Sequence, residues 1–220
     1  DAQLTAALAL NPDIVLLTFD VYITTAQATM YANYLNQGGV ILAYDEGNAN
    51  AVQNLMRAVF PDIPSANITQ RRINFAGAVY ELSNIDDDIL NGPFGDVRGK
   101  HWGDDRSQAA AISGLPADRI VVYSSGFTLS GASGTGTTTE VTALKHKDLN
   151  FMWIGDGGFM AYLSATDPIG YPFILDATNM PAPHTNYGAT TRFSVYNSTV
   201  YANALAWAIK CASQTGINVP

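Results

Sequence analysis

Four apolar runs, at residues 14–18, 40–44, 120–123 and 151–154, are too short for helices and are bounded by turn residues. That pattern predicts strands buried on both faces. Between them the period changes. Leu4, Ala7 and Leu8 recur at helical spacing over 2–10, and Asn11-Pro12-Asp13 ends that helix. Thr24 or Thr25 caps a second helix with Ala28, Tyr31 and Leu35 on one face, and Gly38-Gly39 stops it. A third helical pattern runs from near Asn50 to Phe60. The first sixty residues therefore read helix, strand, helix, strand, helix, which calls for right-handed crossovers and a parallel sheet.

The middle is less regular. Residues 68–75 read as extended and 78–82 as a strand, and Asn91-Gly92-Pro93-Phe94-Gly95 is turn chemistry. His101-Trp102-Gly103-Asp104-Asp105 reads as a loop, and 124–139, rich in Ser, Gly and Thr, as a mobile loop or hairpin tip. Strands at 141–144 and 151–154 flank a polar turn. Residues 164–196 read as long surface loops. A closing helix carries Val200, Ala204, Trp207, Ala208 and Cys211 on one face, capped by Ser198 or Thr199.

Composition narrows the function classes. The chain has 220 residues, 47% of them hydrophobic, which is enough for a sizeable core without a dividing linker. A single domain over 1–220 is expected, able to stand as one module of a longer chain. Only 14% of residues are charged, and the formal net charge is −8. The expected partners exclude nucleic acid, because no basic stripe exists to neutralise phosphates. Arg71-Arg72 is the one basic pair and reads as a solvated turn. No apolar run reaches membrane-spanning length, so no transmembrane span is expected. A helical pattern already under way at Asp1 leaves room for residues upstream. With Cys211 as the one cysteine, no intrachain disulfide forms, and its place on an apolar stripe makes it a buried structural thiol.

Candidate chemistry centres on Val40-Ile41-Leu42-Ala43-Tyr44-Asp45-Glu46-Gly47, a strand that stops at an acidic turn before a helix. Open α/β folds place ligands at that edge. Gly155-Asp156-Gly157 repeats the theme. If Asp45 and Asp156 end neighbouring strands, two carboxylates face one crevice and one pKa is raised, as acid–base pairs need. Otherwise each caps its own turn. His101, Trp102, Asp104 and Asp105 form a second cluster, with the histidine and carboxylates as metal donors and the indole as a sugar platform. Against that stands the lack of HxH or HExxH spacing, so no metal and no other cofactor is expected. His184 sits where a loop can reach a crevice, and His146 reads as solvated. Asp86-Asp87-Asp88, the one acidic run, reads as a helix cap. Ser124-Ser125-Gly126 lacks the first glycine of a serine-hydrolase elbow, and Gly131–Gly136 lacks the lysine of a phosphate loop. Asn67-Ile68-Thr69 and Asn197-Ser198-Thr199 match the glycosylation sequon.

The stretches "DIVLLTFD", "YLNQGGVILAY" with its sharp turn, and "LNFMWIGDGGFMAYL" before a long amphipathic helix resemble the class I glutamine amidotransferase-like superfamily, which includes the ThuA-like proteins. The resemblance implies a flavodoxin-like α/β three-layer sandwich with a mostly parallel central sheet. It also implies a catalytic cysteine at the turn, two residues before a glycine, and a histidine after a late strand. Gly47 matches the glycine, which puts Asp45 at the cysteine's position, and Asp156 matches the histidine's. Both required residue types are absent. The strand that usually precedes the opening helix is not in this sequence either. The expectation is a non-catalytic binding or structural domain of an extracellular or periplasmic bacterial protein, with a carbohydrate or other small polar ligand and neighbouring domains as partners. The alternative is a hydrolase using Asp45 with Asp156 or His101.

Overall fold

Val40–Tyr44 lies at the centre of a computed structural model of the chain, with every residue buried. The structure describes residues 1–19, 21–47, 51–73, 77–105, 108–126, 139–162, 167, 169–189 and 191–214. The elements in order open with α1 (Ala2–Ala9), β1 (Ile14–Thr18), α2 (Thr25–Asn36), β2 (Val40–Tyr44) and α3 (Ala51–Val59). Short strands follow: β3 (Thr69–Ile73), β4 (Val79–Glu81), β5 (Asn91–Gly92), β6 (Gly95–Asp96), β7 (His101–Gly103) and β8 (Ala109–Ser113). The chain closes with β9 (Ile120–Ser125), β10 (Val141–His146), β11 (Phe151–Ile154), β12 (His184–Tyr187), β13 (Phe193–Val195) and α4 (Asn197–Gln214). Among the described residues no helix is long and apolar enough to cross a membrane.

Local chemistry sets the early boundaries. Thr24 and Gln27 form a reciprocal capping box, Thr24 Oγ1 accepting from the Gln27 N–H and Gln27 Oε1 from the Thr24 N–H. Gly38 ends α2 with φ +93°, a conformation that costs a glycine nothing. At Gly39 the Tyr34 ring occupies the space a Cβ would need, 2.3 Å from Cζ. That close approach lets the Tyr34 hydroxyl donate to the Pro12 carbonyl and accept from the Val40 N–H, tying α2 to the starts of β1 and β2.

The main sheet has seven strands in the order β1-β2-β11-β10-β8-β3, with β9 also on β10. β1, β2 and β11 pair in parallel, and the remaining pairings are antiparallel. Five of the seven strands run in one direction, and β10 and β3 oppose them. The expected α/β sandwich with a mostly parallel sheet is therefore what forms, and the expected 141–154 hairpin is its antiparallel step.

Strand alternation sorts the core into two layers. Ile41, Ala43, Phe151 and Trp153 pack with Leu35 of α2 and with Val52, Leu55 and Met56 of α3. Val40, Leu42, Tyr44, Met152 and Ile154 pack on the other face with Val200, Ala204, Trp207 and Ala208 of α4. The third layer holds α4 together with a four-stranded sheet, β12-β13-β7-β4.

Several expectations are corrected here. Residues 101–103 form β7, inside that smaller sheet, because the indole of Trp102 stacks on Tyr80 at 4.0 Å. The region 164–196 contains β12 and β13 within its loops. Arg71 and Arg72 lie on β3, where Arg71 makes a bidentate pair with Glu140 at 2.7 and 2.8 Å and Arg72 donates to the Gly47 carbonyl. Asp87 caps a turn rather than a helix, its Oδ1 accepting from the Ile89 and Leu90 N–H groups. The Ser198 hydroxyl bonds both backbone groups of Ala182, fastening α4 to the loop before β12. Residues 127–138 of the glycine- and serine-rich stretch lie outside the described residues.

Candidate functional site

β2 and β11 are parallel neighbours, with Tyr44 opposite Ile154, so their acidic turns emerge side by side at the carboxyl edge of the sheet. The pleat then separates the acids. Tyr44 faces α4, stacking on Phe159 at 5.1 Å. Asp45, one residue on, faces the helical layer, where its charge raises the pKa of Tyr31, second to the effect of burial. Glu46 returns to the α4 side. Asp156, two residues beyond Ile154, faces that side as well. Glu46, whose charge bears on Asp156, is thus the acid of the first turn that lies with it at this buried edge.

Both aspartates accept from their own turns. Asp45 Oδ1 takes the Gly47 N–H at 2.9 Å, and Asp156 Oδ1 takes the Gly158 N–H at 3.2 Å. The turn after β2 is fixed further by Trp153, whose Nε1–H donates to the Asp45 carbonyl at 3.0 Å, and by Gln70, which donates to the Glu46 carbonyl. The missing side chain of Gly158 leaves room for Asp105, whose Oδ2 would lie 1.9 Å from a Cβ there.

The smaller sheet closes the crevice and supplies Asp104. This residue is fully buried, and its Oδ1 accepts from the Ala78 N–H at 2.7 Å. Its Oδ2 takes the Tyr80 hydroxyl at 3.4 Å, and its carbonyl takes the Tyr187 hydroxyl. Burial pushes the Asp104 carboxyl well above the usual range, opposed by the Ala78 N–H, with Asp105 and Glu46 adding to the rise. Burial, then Asp105, Asp104 and Glu46, do the same to Asp156. Glu46 is itself buried. Both acids therefore have raised proton affinity, the property that suits a carboxyl group to exchange protons with a bound molecule. No histidine is among the groups that shift either one, and among the described residues no three His, Cys, Asp or Glu side chains converge as metal ligands.

The other sequence candidates lie elsewhere. His101 is half-buried in β7 against Phe193, and burial lowers its pKa against the raising effect of Glu81. Trp102 is fully buried and donates to Ser124 Oγ at 2.9 Å, so it offers no face to a sugar. His184 is buried on β12, its Nδ1 2.7 Å from the Tyr171 carbonyl and its ring edge-on to Tyr187. His146 is buried rather than solvated. It stacks on Phe60, and its Nδ1 accepts from the Asp148 and Leu149 N–H groups at 3.0 Å. Cys211 is half-buried at the edge of the α4 stripe, more open than expected. α4 begins beside the crevice, where the Asn197 amide donates to the Gly103 and Phe159 carbonyls. Cys211 lies fourteen residues further along, about 21 Å at the helical rise. The same bonds bury Asn197 completely, which closes that sequon in the folded chain, whereas Asn67 is exposed.

No protein-family model matches the sequence, and no curated protein is significantly similar to it. Among solved structures, a protein of Thermoplasma acidophilum described provisionally as part of a GMP synthase aligns with 96% of this chain and 79% of its own, at 10% identity and a TM-score of 0.50. The fold is that of an amidotransferase-type α/β sandwich. At such identity the likeness concerns the backbone, and the residues at the carboxyl edge must speak for the chemistry. The sequence pointed to this edge through Asp45 and Asp156. It did not show that Glu46 and Asp104 are the acids Asp156 meets, because no local pattern places β7 across from β2 and β11.

Proposed function

We propose that this protein is a binding module on an amidotransferase-type, ThuA-like scaffold, without thiol chemistry at its carboxyl edge. One observation carries the reading. The residue at the strand–turn–helix elbow is a carboxylate bonded to its own turn, while the chain's one cysteine lies about 21 Å along α4. A carboxylate is a far weaker nucleophile than a thiolate and has no histidine here to pass a proton to a leaving amine. The ligand is a carbohydrate or another small polar molecule with hydroxyl or amine donors, which buried carboxylates accept. A surface with few charges fits an extracellular or periplasmic setting, with neighbouring domains as partners.

Glutamine hydrolysis by the wild type and by Asp45→Asn tests this. Both are expected at background. Robust wild-type turnover abolished in Asp45→Asn overturns the reading. The raised proton affinity of Asp156 favours one competing reading, a hydrolase in which Asp156 and Glu46 exchange protons with substrate. Turnover of chromogenic glycosides or esters, lost in Asp156→Asn, would select it.

A further inference from the structure

The outer face of the helical layer carries a trough of about 520 Å³ between α2 and α3, whose lining includes none of Glu46, Asp104 and Asp156. That volume lies within the range of small-molecule sites, about 300–1,000 Å³. α2 contributes Thr25, Thr29, Asn33 and Asn36, and α3 contributes Asn54 and Arg57. Thr25 and Asn36 mark the two ends of α2, so the trough runs about 17 Å along the helix. Its polar lining is neutral amides and hydroxyls with one cation. Asn33 and Asn36 are exposed, so their amides are open to a ligand.

Arg57 belongs to the cations of this molecule that donate to backbone carbonyls, as Arg72, Lys147 and Arg192 also do. Arg71, Arg98, Arg119, Lys145 and Lys210 are each held by a carboxylate. Arg57 donates through Nη2 to the Ile68 carbonyl at 3.1 Å, and its Nε is buried with no acceptor. An anion approaching a chain of net charge −8 needs a local positive group, and Arg57 supplies one.

We propose that this trough binds a small sugar acid, with Arg57 taking the carboxylate and the Asn and Thr side chains taking the hydroxyls. Guanidinium–carboxylate bonds are strong and directional. Amide side chains both donate and accept, as a hydroxyl does, so a row of them suits a polyol. The inference stands apart from the crevice reading and does not need it.

Isothermal titration and amide chemical-shift mapping with sodium glucuronate test it, with glucose and propionate as controls. Saturable binding is expected in the millimolar range, at least about tenfold tighter than either control, which carry only the hydroxyls or only the carboxylate. The shifts should fall on α2 and α3 and not around Glu46 and Asp156, which separates this site from the crevice. Arg57→Gln should weaken binding about tenfold or more. Asn33→Ala with Asn36→Ala, both at exposed positions, should weaken it severalfold with an unchanged melting temperature. Absence of saturable binding, equal affinity for propionate, or unchanged affinity in Arg57→Gln would overturn the proposal. So would binding of a poly-glutamate peptide at these residues with none of glucuronate, which would make the trough a peptide dock.

Discussion

Two groups of carboxylates in this protein have opposite fates. Asp86, Asp87 and Asp88 are adjacent in sequence, yet each has its own partner. Asp86 meets Asn91 and Arg98, Asp87 meets Lys145 and Tyr123, and Asp88 meets Lys210. Burial pushes the Asp87 carboxyl up, but hydrogen bonds from Lys145, Tyr123 and the Leu90 N–H outweigh it and hold its pKa below the ordinary value. Glu46, Asp104, Asp105 and Asp156 come together from distant parts of the chain; burial, then Asp105 and Glu46, drive Asp104 the other way, and burial, then Asp105, Asp104 and Glu46, do so for Asp156. A run of acids in sequence says little about electrostatic cost. What decides it is whether folding brings a cation or a second acid.

Breaking the paired group should have the largest effect. Asp87→Ala leaves Lys145 and the Tyr123 hydroxyl without their shared acceptor and two backbone N–H groups uncapped. Urea denaturation should show a loss of about 3 kcal/mol, as for other largely buried pairs deprived of one partner. Its depressed pKa means this stability is present above the unfolded value and is lost as pH falls through the folded one.

The next effect is a control on pH. Burial lowers the His146 pKa, Asp148 opposes and Arg119 adds to the fall, and a protonated Nδ1 cannot accept the two N–H groups it now holds. Its contribution is present above the unfolded value of about 6.5 and fades as pH falls through the folded one. His146→Ala should cost about 2 kcal/mol at pH 8 for two lost backbone hydrogen bonds. It should also flatten the acid side of the stability curve.

The crevice has the opposite sign. A raised folded pKa gives stability that is complete below the unfolded value and is lost as pH rises through the folded one. Asp156→Asn keeps an acceptor for the Gly158 N–H and removes the charge. It should stabilise the protein at pH 8 by about 1 kcal/mol, the equivalent of one pKa unit. The gain should shrink on acidification toward pH 4. Destabilisation at pH 8 would mean that the crevice depends on the charged form, and the comparison would fail. The smallest effect should come from the exposed end of the acidic run: Lys210→Ala should leave the thermal melt unchanged, since solvent screens that pair.

The first sixty residues were legible because periodicity and caps agree there: apolar runs for β1 and β2, the Thr24–Gln27 box, and Gly38-Gly39. β8 was not, because Ala109-Ala110-Ala111 is short and small and gives no strand signature apart from its pairing with β3. His146, between two lysines, read as solvated, and only the hairpin turn that folds it over Phe60 buries it. At the site, the sequence located the turns and offered both Asp45 and Glu46, without the pleat that sets them apart. A strand end identifies two candidate acids, and only knowledge of what covers each face chooses between Asp45 and Glu46.

The place of β2 also carries a kinetic consequence. β1 can join one of its edges early, because the crossover through α2 is short. Its other edge pairs with β11, from the far half of the chain, with Phe151 opposite Ile41. On the ribosome, this strand, fully buried in the folded protein, waits with one row of N–H and C=O groups open until most of the protein has been made. The β10–β11 pairing is local, whereas the β2–β11 pairing joins distant parts of the chain, the kind of contact of high sequence separation that slows folding.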